Sequence, residues 1–210
     1  MSKLSIAEFT LDELRERVSQ RLNHSDNEPI GDFTHDPDMR QWVMSRATKD
    51  AAILMPLVER QGEMSLLLTK RADRLISHSG QVAFPGGKID ADDDGPEAAA
   101  LREAHEEVGL ATDQVEILGR LPDYFTGSGY KIAPIIGIMD KNAVVEANPD
   151  EVDYLFEVPL SFLMNPDNHL RGSRVFEGKE RHFYEMPFGE HYIWGITAGM
   201  IRVLYDRLYR

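Results

Sequence analysis

The chain has 210 residues, the length of one domain with extensions, and its 42% hydrophobic content is enough for a sizeable core. It contains no cysteine, which excludes disulfides, thiolate-ligated zinc, iron–sulfur clusters and a thiolate nucleophile. Its formal charge of −13 argues against nucleic acid as a partner, and a phosphorylated substrate would need divalent cations or a local basic pocket. We find no secretory signal pattern, and the longest nearly apolar run, 193–201, is about half the roughly 18 residues of a membrane span. We therefore expect a cytoplasmic protein with no membrane partner.

The hydrophobic pattern predicts a series of short elements. An amphipathic helix is predicted over 5–23 and a polar loop over 24–38. In the rest of the chain we predict a hairpin of strands at 51–58 and 64–70, a helix at 96–108, strands at 115–121, 132–139, 154–159, 183–186 and 192–194, and a final helix at 197–208. This order indicates an α+β fold or an α/β sandwich, with one domain over 51–210 and an N-terminal extension over 1–50.

The ends of the helix predicted at 96–108 carry recognisable signals. Asp94 and Glu97 have the spacing of a capping box, and Pro96 suits the first turn, where its missing N–H does little harm. Gly109 suits a left-handed C-cap. The residues between these ends are therefore expected to be helical.

Three carboxylates share one face of this predicted helix. At about 100° per residue, Glu103, Glu106 and Glu107 lie within about one turn of each other, and Arg102 pairs with Glu106 at i, i+4. Oxygen ligands spaced in this way suit a hard cation such as Mg²⁺ or Mn²⁺. The alternative interpretation is a solvated acidic face.

A bend with two adjacent glycines, Gly86 and Gly87, precedes the helix. Glycine lets the backbone approach a metal or a phosphate closely, although a simple tight turn would use the same residues. In the acidic loop that follows, we interpret Asp92 as solvated and Asp94 as a capping residue.

Together these residues resemble the Nudix signature, G-x5-E-x7-R-E-U-x-E-E-x-G-U, in which U is aliphatic. The matching residues are Arg102, Glu103, Glu106, Glu107, Gly109 and Leu110. The chain departs from the signature at Ala104, which is smaller than usual, at Asp94, where the signature has Glu, and by one extra loop residue. The segment 67–87 is similar to the motif L-L-T-x-R-[SA]-x3-R-x3-G-x3-F-P-G-G of the coenzyme A pyrophosphatase branch, with Ile76 in place of the second Arg and Arg74 two residues away.

The resemblance implies a Nudix-like α/β/α sandwich with a mixed sheet and a catalytic loop–helix–loop. It also implies a metal-dependent diphosphate hydrolase that uses Mg²⁺ or Mn²⁺ and cleaves coenzyme A or acyl-CoA to (acyl-)4′-phosphopantetheine and 3′,5′-ADP. The implied catalytic residues are Glu103, Glu106, Glu107 and Arg102, and the implied metal ligands are the same three glutamates with the backbone carbonyl of Gly86. The candidate substrate-binding residues are Arg71, Arg74, Lys88 and Gly87.

Several alternatives stay open at this stage. The general base is one of the helix glutamates or a downstream acid, with Glu151, Asp153 and Glu185 as candidates. We expect His105 to pack and His78 to lie at the surface. The runner-up function is a Nudix pyrophosphatase acting on ADP-ribose, dinucleotides or damaged nucleotides, and a non-catalytic ligand-sensing module is the alternative of another class. A homodimer is left open.

Overall fold

The computed structural model describes residues 6–22, 28–35, 39–46, 48–75, 78–176 and 178–210. The helices are α1 Leu11–Arg21, α2 Arg40–Arg46, α3 Pro96–Val108, α4 Leu160–Leu163 and α5 Gly195–Leu208. The strands are β1 Ile30–Gly31, β2 Lys49–Arg60, β3 Glu63–Arg71, β4 Val82–Ala83, β5 Gly86–Lys88, β6 Val115–Arg120, β7 Tyr124–Phe125, β8 Tyr130–Met139, β9 Val152–Pro159, β10 Leu170–Phe176, β11 Lys179–Phe188 and β12 His191–Trp194. Within the described ranges, no helix is both long and apolar enough to cross a membrane.

A mixed sheet forms the centre of the fold. Its strand order is β1-β7-β8-β2-β3-β4, with β5 paired to β2, β6 to β8 and β9 to β3. The β2–β8 and β1–β7 pairs are parallel, and the other pairs are antiparallel. β2 is buried without interruption from Ala51 to Val58, because helices cover both faces of the sheet. Strands β10, β11 and β12 form a second, antiparallel sheet.

The alternation of side chains along β2 divides the core into two layers. Ala52 and Leu54 pack against α3 on one face, where the small residues Ala100 and Ala104 let the helix approach the sheet closely. Ala51, Ile53 and Met55 belong to the opposite layer, with residues of α1 and α5. The predicted α/β/α sandwich with a mixed sheet, in one domain, is thereby confirmed.

Most of the predicted elements are confirmed. The hairpin forms from β2 and β3 around a turn at Gln61 and Gly62, and α3 has its predicted bounds. Gly109 is the left-handed C-cap, with φ 67°. The capping-box prediction is wrong, because the N-cap of α3 is Gly95, with φ 90° and no side-chain cap, rather than Asp94.

The N-terminal region differs more from its prediction. Helix α1 is shorter than expected, because the side chain of Thr10 accepts from the N–H of Glu13 and starts the helix there. The described part of the predicted loop, 28–35, contains β1 and a 3₁₀ turn over Asp32–His35. The remainder of that loop lies outside the described residues, and helix α2 was not predicted at all.

Candidate active site

The candidate site is the contact between α3 and the glycine bend, Gly86 and Gly87, which are the first two residues of β5. Glu103 lies directly over Gly87: a Cβ atom at position 87 would be 2.5 Å from the carboxylate carbon of Glu103. Glu107, one turn further along α3, accepts a hydrogen bond from the backbone N–H of Gly86 at 3.0 Å. The bend therefore needs glycine at position 87, since any side chain there would displace a candidate ligand.

Glu107 is the most buried of the three glutamates, with 2% of its surface exposed. Its second carboxylate oxygen accepts from the guanidinium of Arg71 at 3.2 Å. Burial raises the pKa of Glu107 to about 7; the Gly86 N–H and Arg71 oppose this shift, and the negative charges of Glu151 and Glu103 add to it. At this carboxylate the effect of burial thus outweighs the hydrogen bond from Gly86 and the charge of Arg71.

Arg102 connects the other two glutamates to the acidic loop. Its guanidinium donates to both carboxylate oxygens of Asp93 at 2.9 Å, to the backbone oxygen of Lys88 at 3.1 Å and to Glu103 at 3.0 Å. It also lies 3.3 Å from both oxygens of Glu106, which confirms the predicted i, i+4 pair. The hydrogen bonds that Arg102 donates to Asp93 lower the pKa of Asp93 to about 2. Arg102 is thus held in place by the loop and in turn orients two glutamates.

The donor set fits a divalent cation. Burial raises the pKa of Glu103, and the charges of Glu106 and Glu151 raise it further, so an added cation would relieve repulsion among these carboxylates. Within the described ranges, no three carboxylate or imidazole groups are already grouped as an ion site. Arg102 and Arg71 engage the glutamate oxygens instead, so loading a cation requires these side chains to rearrange. The roles of the three glutamates and of the Gly86 carbonyl as ligands stay predictions.

Of the three downstream acids, the structure places one beside the glutamates. The backbone oxygen of Glu151 accepts a hydrogen bond from the N–H of Ala72, the neighbour of Arg71, at 2.9 Å. The charge of the Glu151 side chain raises the pKa of both Glu103 and Glu107. In contrast, Asp153 pairs with Lys70 at 3.1 Å. Glu185 accepts from the hydroxyl of Tyr192 in the second sheet.

A large cavity lies on the α5 side of the sheet. Its volume is about 1170 Å³, and it reaches the backbone of Gly86 and Gly87. Its floor is the sheet face formed by Lys49, Ala51 and Ile53 of β2 and by neighbouring side chains of β8. Seven lysine and arginine residues line it against three acidic residues, an excess of positive charge in a chain of net charge −13. This is the local basic pocket that an anionic substrate requires.

The cavity and the glutamates are neighbours rather than one pocket. None of the three glutamates lines the cavity, but Arg71 does, and it donates to Glu107. Lys88 and Gly87 also line it. Arg74 does not: its guanidinium pairs with Asp150 at 2.9 Å. The structure therefore brings together three of the four candidate substrate-binding residues.

Other sequence predictions near the site have mixed outcomes. Ile76, where the branch motif has Arg, lies outside the described residues. His105 is exposed, so the prediction that it packs is wrong, and His78 is exposed at the cavity edge, as expected. Asp93 was missed as the anchor of Arg102. Its position three residues after Asp90, whose N–H it binds at 2.8 Å, is the local signal that could have indicated an ordered turn.

Sequence comparisons with known proteins cover most of the chain. The family model of the NUDIX domain matches residues 48–186. The protein named "Uncharacterized Nudix hydrolase NudL" of Yersinia pestis (strain Pestoides F) is 38% identical over 204 residues, which cover 97% of each chain. The protein of the same name from Enterobacter sp. (strain 638) is 40% identical over 80% of this chain and 86% of its own.

Two solved structures are similar to about half of this chain. The Nudix hydrolase RenU of M. Smegmatis has 25% identity and a TM-score of 0.45, over 53% of this chain and 70% of its own. The C. elegans Ap4A hydrolase binary complex has 20% identity and a TM-score of 0.45, over 54% of this chain and 81% of its own.

Proposed function

The chain belongs to the NUDIX family and is a hydrolase of phosphorus–oxygen–phosphorus anhydrides, and we propose that its substrate is coenzyme A or an acyl-CoA. The products would be (acyl-)4′-phosphopantetheine and 3′,5′-ADP. This assignment to the coenzyme A pyrophosphatase branch rests on the motif over 67–87, and Mg²⁺ or Mn²⁺ is the proposed cofactor.

One structural observation supports the proposal: a cavity of about 1170 Å³ with an excess of positive charge begins at the backbone of Gly86 and Gly87, which Glu103 and Glu107 of α3 also contact. A small nucleotide would fill only part of that volume, whereas a long substrate with several phosphates suits both its size and its charge. The diphosphate would lie at the glycine bend, and the two ends of the substrate would extend from it.

The residues of the site have distinct proposed roles. Glu103, Glu106 and Glu107 would hold a divalent cation, with the backbone carbonyl of Gly86 as a further ligand. When bound, the cation supplies charge neutralisation at the diphosphate and at the leaving oxygen. Arg102 orients Glu103 and Glu106 from its anchor on Asp93.

The cavity side of the site would bind the substrate itself. Arg71 and Lys88 would bind phosphate oxygens, and the lack of a side chain at Gly87 would let those oxygens approach the backbone. Glu151 is the proposed general base, because it is the downstream acid next to the glutamates.

A panel of substrates with product identification tests the proposal. With Mg²⁺ or Mn²⁺, we expect the purified protein to release 3′,5′-ADP from coenzyme A faster than it cleaves ADP-ribose or a dinucleotide. E151Q should lose turnover while its metal-free stability changes little, and D153N is the matched control, because Asp153 pairs with Lys70 away from the glutamates. Cleavage of another diphosphate without any 3′,5′-ADP from coenzyme A would refute the substrate assignment.

The runner-up substrates, ADP-ribose, dinucleotides or damaged nucleotides, are supported by Ile76, since the branch motif has Arg at that position. Tight binding of several nucleotides without turnover would instead indicate a ligand-sensing module. The repelling glutamates speak against such a module, because binding alone does not need them.

The remaining assignments belong to the same proposal. We place the enzyme in the cytoplasm on the basis of a composition without cysteine. We propose that the chain divides into an N-terminal extension over 1–50 and a hydrolase domain over 51–210. A homodimer of this chain stays a prediction, which a measurement of the molecular mass in solution would test.

A further inference from the structure

The cavity extends beyond the part of the chain that the NUDIX family model matches. That match begins at residue 48 and ends at 186, yet residues of the ranges 28–35 and 39–46 and of α5 also line the cavity. The cavity is therefore built partly by residues inside the match, around the glycine bend, and partly by residues outside it.

The range 28–35 is joined to the sheet by specific contacts. β1 pairs in parallel with β7, and a Cβ atom at Gly31 would lie 2.1 Å from the backbone oxygen of Phe125, so this pairing requires glycine. The carboxylate of Asp32 accepts from the backbone N–H of Gly127 at 2.8 Å and from the hydroxyl of Tyr124 at 3.1 Å. Asp32 thus fastens this part of the chain to β7 and to the loop after it, next to the strand β8 of the cavity floor.

The cavity side of both ranges carries aromatic and cationic side chains. Phe33, Arg40 and Trp42 line the cavity, and the guanidinium of Arg40 lies 5.4 Å from the ring centre of Phe33. Two guanidinium groups contact the ring of Trp42: that of Arg181 lies 5.5 Å from the ring centre and that of Arg46 lies 4.7 Å from it, so a stacked nucleobase would replace one of them. Aromatic rings stack on nucleobases and guanidinium groups pair with phosphates, so this wall has the chemistry that binds a nucleotide.

We propose that the ranges 28–35 and 39–46 form the nucleotide-binding wall of the cavity and that Asp32 is the positioning residue that holds this wall in place. The inference rests on the proposed function and deepens it. The diphosphate lies at the glycine bend, and the nucleotide end of the substrate extends toward Phe33, Arg40 and Trp42, while the other end leaves in another direction. Substrate choice is then determined largely by residues outside the family model.

Binding of the two product halves to the full, metal-free chain tests this inference without turnover. In calorimetry with EDTA, we expect W42A and D32A each to weaken the binding of 3′,5′-ADP about tenfold or more, the size of one lost stacking contact. Neither variant should change the binding of 4′-phosphopantetheine. S45A is the matched control, because Ser45 is exposed on the same helix as Trp42 and bonds only to the backbone of that helix.

Measurements of turnover and folding distinguish a failure of this inference from a failure of the proposed function. If coenzyme A is cleaved, D32A should raise its KM about tenfold and leave kcat within about twofold, and D32N, which keeps an acceptor for the Gly127 N–H, should recover part of the loss. If D32A does not fold, W42A and R40A carry the test. Equal weakening of both halves, no weakening of 3′,5′-ADP, or no binding of 3′,5′-ADP by the unmodified chain would overturn the inference. Absence of coenzyme A cleavage alone would refute only the proposed function.

Discussion

Replacing Glu107 with glutamine removes a buried negative charge and keeps the side-chain volume. The Glu107 carboxylate is 2% exposed and accepts from the Gly86 N–H and from Arg71. The amide oxygen of glutamine can still accept from Gly86, so the substitution changes the charge more than the packing. We expect turnover to fall by orders of magnitude, because a candidate ligand is neutralised.

The effect on stability follows from the pKa of Glu107. Burial raises this pKa from 4.5 to about 7 in the folded chain. Between these two pH values the folded chain holds more protons than the unfolded chain, so the free energy of unfolding falls as the pH rises through this window. The pKa difference corresponds to a fall of about 3 kcal/mol from this one group. E107Q should lack that part of the slope and be as stable as the unmodified chain, or more stable, at pH 8.

Urea unfolding in EDTA at pH 5, 6, 7 and 8 measures the difference. The control is E106Q, which removes the same charge from the same helix at a side chain that is 52% exposed, and should differ from the unmodified chain by about 1 kcal/mol or less at every pH. Excess Mg²⁺ should stabilise the unmodified chain most at pH 8, because the ion binds the deprotonated carboxylates, and E107Q much less. A clear loss of stability in metal-free E107Q at pH 8, or a difference from the unmodified chain that does not vary with pH, would refute the reasoning.

Two further substitutions test the surroundings of the site, and a third tests the buried histidine His169. R102K cannot bind both oxygens of Asp93 and reach Lys88 and Glu103 as well, so kcat should fall about 10- to 100-fold with little change in the binding of 3′,5′-ADP; an unchanged kcat would show that Arg102 does not orient the glutamates. G87A places a Cβ 2.5 Å from the carboxylate carbon of Glu103, so kcat should fall on the order of 100-fold while the melting temperature stays close to that of the unmodified chain. Burial lowers the pKa of the His169 imidazole below 6.5, so as the pH falls the imidazole is protonated in the unfolded chain before it is protonated in the folded chain. The free energy of unfolding therefore falls as the pH drops below 6.5. Urea titrations should show this loss of stability in the unmodified chain and a smaller loss in H169Q.

Local patterns were enough to predict the helix α3 and its neighbours. The helix bounds, the Gly109 cap and the Arg102–Glu106 pair depend on spacings within a few residues, which the chain carries in its own order. The β2–β3 hairpin was predictable for the same reason, since its turn and its apolar runs are contiguous. Together with the spacing of the glutamates, these elements were sufficient to identify the family resemblance.

Only the tertiary structure decided which of three similar carboxylates is buried. Glu107 is covered by the glycine bend and Arg71, whereas Glu106 points to solvent, and helical spacing alone does not distinguish them. The anchoring of Arg102 by Asp93 likewise depends on how the acidic loop folds back on α3.

Sequence patterns also could not predict that the N-terminal region contributes to the cavity. Strand β1 has two residues, too few to show any period, and its partner β7 lies far along the chain. Asp32 gains its position from an N–H and a hydroxyl that chain folding brings to it. The amino-acid order thus determined the helix α3, the β2–β3 hairpin and the chemical groups that α3 carries. Long-range pairing determined the cavity beside α3, because burial and charge balance depend on neighbours that are distant in sequence.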